Sequence, residues 1–132
     1  MDPIGLHAST SAGFDEVVAR LPELLKAEGF GVLTRIDVKA TMKEKLGVDF
    51  RRYLILGACN PSFAHQALGI SLDVGVMLPC NVVVRDGEGG RTEVVAVDPL
   101  QTMAGSDARF AAVAGQVRER LARVVAAIGA GA

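Results

Sequence analysis

Two cysteines, each followed by an asparagine, are the residues in this sequence best suited to chemistry. Cys59 ends the apolar run YLILGAC (53–59) and precedes Asn60, whereas Cys80 lies within LPCNVVV (78–84) and precedes Asn81. A cysteine thiolate is a nucleophile and a soft ligand, so Cys59 and Cys80 are the candidate catalytic residues. No Gly-x-Ser-x-Gly elbow and no phosphate-binding loop accompanies them, and the sequence therefore assigns no reaction.

Two interpretations of Cys59 stay open. Asn60 suits a helix N-cap and Pro61 suits the first helical position, so a helix is predicted to start there. In the first interpretation, the helix N-terminus stabilises the thiolate, and Asn60 and Pro61 help to bind a small molecule or anion. In the second, Asn60 only caps the helix and Cys59 is a buried core residue whose thiol pKa is raised. The residue types favour the second.

Cys80 shares the apolar face of its predicted strand with Leu78 and Val82, which favours a core position. Cys80 can form a joint site with Cys59 only if the two strands have one particular relative direction. If the two strands are antiparallel, both thiols come near the same end of the sheet; if they are parallel, the thiols separate. A disulfide needs α-carbons within about 7 Å.

Four further polar residues are candidate ligand-binding residues. His65 follows the Cys-Asn-Pro step, and Asn81 follows the second cysteine. Asp37 and Lys45 flank a short predicted helix. For His65 an exposed helix position is favoured, and for Asp37 and Lys45 a solvated ion pair worth under about 1 kcal/mol.

Metal and cofactor motifs are missing from the sequence. It has no HExxH and no CxxC spacing, and His7 has no neighbour that would complete a metal motif. The sequence therefore predicts no metal site and no cofactor.

The apolar patterns predict alternating strands and helices. Strands are predicted at 4–10, 30–38, 53–59, 74–86 and 91–98, and helices at 14–29, 41–47, 61–69 and from 106 onward. Pro22 is expected to kink or divide the first helix, and Pro79 to mark an edge strand or a bulge. Strand 53–59 is apolar on both faces and is expected to be central and covered on both sides. The pattern indicates an α+β fold with a largely antiparallel sheet covered by helices, in a single domain spanning residues 1–132.

Composition excludes several partners. The chain has 132 residues, a net charge of −1 and 50% apolar residues. The balanced charge argues against nucleic acid as a partner. No apolar run approaches the roughly 20 residues needed to cross a membrane, and no signal sequence is apparent, so a cytoplasmic protein is predicted. The mean hydropathy of +0.34 suggests apolar surface that a partner covers.

The chain resembles the DUF302 family of small bacterial and archaeal proteins. The resemblance runs from about Phe14 to Met103 and rests on four stretches: EGFGVLTRIDVKATMKEKLG (28–47), YLILGACNPSFAHQAL (53–68), GVMLPCNVVV (75–84) and the Asp98-Pro99 step. It implies a compact fold similar to TATA-binding-protein-like domains, commonly paired as a homodimer, and no assigned activity. The family's characteristic features fall on Asp37, Lys45, Cys59, Asn60, Pro61, Leu78, Pro79 and Cys80.

Two functional hypotheses follow. The first is a thiol-based ligand-binding or redox protein built around Cys59 and Cys80. The second is a non-catalytic homodimeric interaction module in which the cysteines are structural.

Overall fold

The computed structural model of the protein describes residues 4–131, so residues 1–3 and 132 of the predicted domain lie outside it. The strands are β1 (Leu6–Thr10), β2 (Gly31–Asp37), β3 (Tyr53–Cys59), β4 (Cys80–Asp86) and β5 (Thr92–Ala96). The helices are α1 (Phe14–Ala27), α2 (Val38–Leu46), α3 (Pro61–Ile70), α4 (Met103–Ser106) and α5 (Ala111–Gly131). Short 3₁₀ turns occupy Leu72–Met77, Glu88–Gly90 and Ala108–Phe110.

The strands form one antiparallel sheet in the order β1-β5-β4-β3-β2. The predicted α+β class with an antiparallel sheet is therefore confirmed. β3 is internal, as predicted, whereas β1 and β2 are the two edges. A register shift in β2 between Val32 and Thr34 bulges this edge strand.

One face of the sheet packs against helices. Along β4, Cys80, Val82 and Val84 are buried, and the residues between them are exposed or half-buried. The buried face joins one hydrophobic core with the apolar stripes of α1 and α5. In α5 one apolar stripe at helical spacing is buried throughout: Phe110 (just before the helix), Val113, Val117, Leu121, Val125 and Ile128. The opposite face is covered less completely, since Tyr53 and Ile55 of β3 are only half-buried. The expectation of cover on both sides of β3 is thus wrong for that face.

Pro79 acts differently from the prediction, and Pro22 does not divide its helix. The predicted strand 74–86 is wrong in its first half, which forms the Leu72–Met77 turn instead. β4 starts only at Cys80, so Pro79 lies before an internal strand and marks no edge. Helix α1 runs through Pro22 in one piece. Pro22 is exposed, and water can therefore satisfy the Val18 carbonyl that this proline leaves without a donor.

The second helix starts earlier than predicted. It begins at Val38 because an Asp37 side-chain oxygen accepts a hydrogen bond from the Ala40 amide at 2.9 Å and caps it. The predicted strand 30–38 accordingly ends at Asp37. Every residue of β2 is exposed, and α2 has no buried residue. These two elements therefore form the least covered part of the described chain.

Candidate functional site

The two cysteines lie on neighbouring antiparallel strands. Ala58 of β3 is the pairing partner of Cys80 of β4, so Cys59 is one residue beyond the paired position. This is the geometry in which the sequence places both thiols near the same end of the sheet. Cys59 is half-buried, Cys80 is buried, and both are free thiols.

Both cysteines line one apolar depression, which we call the thiol pocket. Its lining also includes Asn60 and the apolar residues Phe30, Ala58, Phe63, Ala64, Ala67, Leu78, Met103, Val113 and Val117. The volume open to a water-sized sphere is about 20 Å³. That is enough for one water molecule or one ion and too little for an organic ligand without rearrangement.

Burial controls the chemistry of Cys80. Desolvation, together with a smaller contribution from the neighbouring Cys59, raises the pKa of the Cys80 thiol to about 11. At neutral pH Cys80 is therefore protonated and is a weak nucleophile. Of the two predicted catalytic residues, only the half-buried Cys59 combines exposure with a place in the pocket.

Asn60 occupies the N-cap position of α3, but its side chain does not cap the helix. The amide Nδ2 instead donates a hydrogen bond to the Glu28 carbonyl oxygen at 3.3 Å. The predicted capping role of Asn60 is thus wrong, because its side chain bridges to the loop after α1. Pro61 is the first residue of α3, as predicted, and is exposed. Since Pro61 has no N–H, it removes one of the donors that an anion would use at this terminus.

Two arginines of α5 form hydrogen bonds with Glu28, which lies in the loop after α1. Arg120 Nη1 donates to the Glu28 carbonyl oxygen at 3.1 Å, and Arg123 Nη2 lies 2.9 Å from the Glu28 carboxylate. The hydrogen bond from Arg123 lowers the pKa of Glu28. The Arg120 guanidinium also lies 5.3 Å from the ring centroid of Phe63, a pocket residue. The sequence offers no signal for the contacts of Glu28 with α5, because more than 90 residues separate the partners.

The other predicted ligand-binding residues lie away from the thiol pocket. His65 is exposed on α3, as the sequence favoured. Asn81 is exposed on β4 and points away from the core, since the buried positions of that strand alternate with it. Asp37 caps α2, and Lys45 is exposed on α2. In the described chain no ion pair joins Asp37 to Lys45; it is Lys43 that pairs, with Asp49, at 3.5 Å. Of the predicted site residues, Cys59, Asn60 and Cys80 line the thiol pocket, whereas the others do not.

α3 faces the core through Phe63 and Ala67, whereas Leu68 is 36% exposed. Phe63 and Ala67 also line the thiol pocket.

Residues 4–131 contain neither a cluster of metal ligands nor a membrane-spanning helix. Within that part of the chain, no three His, Cys, Asp or Glu side chains are grouped so that they could hold a metal ion. None of the helices described is both long enough and apolar enough to cross a membrane.

The comparison with protein families concerns nearly the whole chain. The family described as "Domain of unknown function DUF302" matches residues 6–128. The chain belongs to the DUF302 family. The predicted resemblance is thereby confirmed, and the match extends further toward both ends than Phe14 and Met103.

A solved structure supports the same assignment. The DUF302 chain described here is 36% identical to an uncharacterized conserved DUF302 protein from Bacillus stearothermophilus, whose crystal structure it matches with a TM-score of 0.82. The match covers 93% of this chain and 98% of the other. No curated protein is significantly similar to this DUF302 chain.

Proposed function

We propose that this DUF302 protein is a homodimeric interaction module. Its contact region is the β2–α2 surface, defined as the exposed apolar residues Val32, Leu33, Ile36, Leu46, Val48 and Phe50. The observation that carries the proposal is that all seven residues of edge strand β2 are exposed.

The two edges of the sheet differ in how they are protected. β1 has five residues, and α5 packs against it, so that Leu6 and Ala8 are half-buried and Thr10 is buried. β2 also contacts α1, but all seven of its residues remain exposed. An uncovered edge strand with exposed apolar side chains is a surface that associates with another chain.

The exposed side chains are large enough to drive association. Leu33 is 67% exposed, Ile36 50% and Leu46 69%. Complete burial of such a side chain contributes about 1.5–3 kcal/mol, so six partly exposed ones supply several kcal/mol.

A second copy of the chain suits this surface because it carries charges of both signs. β2 and α2 carry Arg35, Asp37, Lys39 and Lys43, and Asp49 in the loop after α2 lies 3.5 Å from Lys43. A two-fold interface brings the same patch together from both copies, so mixed charge allows opposite charges to meet.

The test is the molar mass in solution, measured by size-exclusion chromatography with light scattering. The wild type is expected to have twice the chain mass of 13.8 kDa, and Leu33→Asp is expected to be monomeric because it places a charge within the surface. Leu72→Asp is the matched control, since Leu72 is 84% exposed outside this surface; it should remain dimeric. A monomeric wild type at micromolar concentration would contradict the proposal.

The thiol pocket supports a second candidate function, a thiol-based binding or redox protein with Cys59 as the reactive group. The supporting observation is that half-buried Cys59 and buried Cys80 share one pocket. Iodoacetamide labelling at neutral pH, read out by peptide mass, is expected to modify Cys59 in the native protein well before Cys80. If both thiols react only after denaturation, this candidate fails.

A further inference from the structure

A second depression lies on the less covered face of the sheet, and we call it the open-face pocket. Val83 of β4 pairs with Val95 of β5, and both side chains are half-buried on this face. The segment before β1 adds Ile4 and Gly5 to the lining, β4 adds Asn81, and the turn after β5 adds Asp98, Gln101 and Thr102. The open-face pocket thus combines an apolar floor with polar groups at its border.

Hydrogen bonds hold the border of this pocket in place. The Gly5 amide donates to Gln101 Oε1 at 2.9 Å, which ties the segment before β1 to the turn after β5. Within that turn, Asp98 Oδ1 accepts from the Leu100 amide at 2.9 Å, and the Asp98 carbonyl accepts from the Gln101 amide at 2.9 Å. Gly5 also approaches β5 so closely that an added Cβ would lie 2.5 Å from the Ala96 carbonyl oxygen. Because the border is already ordered, a ligand loses little affinity to rearranging it.

The size of the open-face pocket suits a molecule with a single ring. Its volume open to a water-sized sphere is about 180 Å³, against about 20 Å³ for the thiol pocket. In another protein, an apolar cavity of about 150 Å³ binds benzene. The open-face pocket therefore admits a ring or a branched aliphatic group, whereas the thiol pocket does not.

The groups at the border select a neutral ligand. Asp98 is the one ionisable residue among the described residues that line the pocket, and its Oδ2 already accepts from Arg118 Nε at 3.1 Å. An anionic ligand would be repelled by that carboxylate, and a cationic ligand would have to compete with Arg118 for it. Asn81 is exposed on the same face as Val83, so its carboxamide can both donate and accept hydrogen bonds beside the apolar floor.

We propose that the open-face pocket binds a small neutral molecule that has an apolar ring or branched chain and one amide or hydroxyl group. The apolar part packs against Val83 and Val95, and the polar group forms hydrogen bonds with the Asn81 carboxamide. None of the residues that line this pocket belongs to the β2–α2 surface or to the thiol pocket. Ligand binding here is therefore a function in addition to dimerisation, and it does not depend on Cys59.

The experiment titrates the full-length protein with benzamide and follows its ¹H–¹⁵N NMR spectrum. We expect saturable shifts with a dissociation constant of about 1 mM or below. The shifts should centre on the backbone amides of Val83 and Val95 and on the side-chain amide of Asn81. Benzoate has a carboxylate in place of the neutral amide, and we expect it to bind at least about tenfold more weakly.

Three variants test where benzamide binds. Val83→Phe fills the floor of the pocket with a ring and is expected to abolish the saturable shifts. Val76→Phe is the matched exchange, since Val76 is 87% exposed outside the pocket, and it should bind benzamide as the wild type does. Asn81→Leu removes the carboxamide at an exposed position. It is expected to weaken benzamide binding about threefold to tenfold and to leave the affinity for toluene unchanged.

The exposed position of Asn81 keeps the test decisive even if Val83→Phe does not fold. The proposal is overturned if benzamide gives no saturable shifts at Val83 and Val95 in the wild type. It is also overturned if Asn81→Leu binds benzamide as tightly as the wild type does. Benzoate that binds as tightly as benzamide would refute the selection of a neutral ligand.

Discussion

The hydroxyl of Thr34 on β2 lies directly over the α-carbon of Gly57 on β3, in the space that a side chain at Gly57 would fill. The ring of Pro79 closes the same space, with its Cγ 2.7 Å from the position of an added Cβ. Gly57 is consequently buried although it lies on the less covered face of the sheet. Glycine is the one residue that lets these neighbours approach so closely.

Gly57→Ala is therefore expected to destabilise the protein by about 1–3 kcal/mol, because the added methyl group overlaps Thr34 and Pro79. Urea unfolding followed by circular dichroism measures the change. Thr34→Ala in the same chain should restore part of the loss, since it removes the nearest overlapping atom. Equal stability of Gly57→Ala and wild type would show that the contact does not restrict this position.

A second prediction tests whether the Asn60 side chain stabilises the protein by capping α3 or by donating a hydrogen bond to the Glu28 carbonyl. Asn60→Asp keeps an acceptor that could cap α3 but loses the donor to the Glu28 carbonyl, so it is expected to lower the free energy of unfolding by about 0.5–1.5 kcal/mol. Asp37→Asn is the matched exchange at a true cap, where the side chain accepts from the Ala40 amide. It should change stability by only a few tenths of a kcal/mol. A stabilising Asn60→Asp, measured by urea unfolding, would contradict the bridging role.

The pH dependence of stability is expected to depend on Asp86. Hydrogen bonds from Arg52 lower the pKa of Asp86 from its ordinary value of 3.8. A carboxylate with a lowered pKa stabilises the fold above its unfolded pKa, and that contribution is lost as the pH falls through the folded value. The advantage of the wild type over Asp86→Asn should therefore be present at pH 7 and shrink below about pH 4.

Urea midpoints of both proteins across this range provide the measurement, with the exposed Asp73→Asn as a control for loss of one negative charge. The effect should be modest, since the Arg52 side chain is 50% exposed. A difference between wild type and Asp86→Asn that grows on acidification would have the wrong sign.

Burial of Cys80 predicts unequal effects of serine at the two cysteines. Cys80→Ser places a hydroxyl among apolar side chains and is expected to cost about 1–3 kcal/mol of stability. Cys59→Ser should cost less, because half-buried Cys59 leaves its hydroxyl access to water. Thermal unfolding of both variants beside Cys80→Ala, which carries no polar atom, isolates the hydroxyl's contribution. If Cys80→Ser proves as stable as Cys80→Ala, the serine hydroxyl forms a hydrogen bond and the predicted loss of stability is wrong.

The sequence predicts the elements well where one pattern dominates and poorly where tertiary contacts decide. The buried stripe of α5 and the start of α3 at Pro61 follow directly from residue spacing. The 74–86 segment fails because alternating apolar residues also suit the Leu72–Met77 turn, in which Val74 is buried and Val76 is 87% exposed.

The candidate site could be predicted only in part. The Cys-Asn steps identify Cys59 and Cys80, and the antiparallel pairing of β3 with β4 brings them together. Met103 and Arg120 join them from elements that follow in the chain, and no local pattern indicates that they approach. At Asn60 the local pattern predicts the wrong contact. Its side chain donates a hydrogen bond to a carbonyl oxygen 32 residues away instead of capping α3.

The strand order has a consequence for synthesis on the ribosome. Of the five strands β1 is made first, yet its partner is β5, and Ala8 pairs with Val94. The other three pairings join strands that are consecutive in the chain. The backbone of β1 therefore remains unpaired until β5 has been synthesised. Helix α5, which packs against β1, is synthesised later still. A nascent chain stalled before β5 can complete the β2-β3-β4 meander while leaving its earliest strand unpaired.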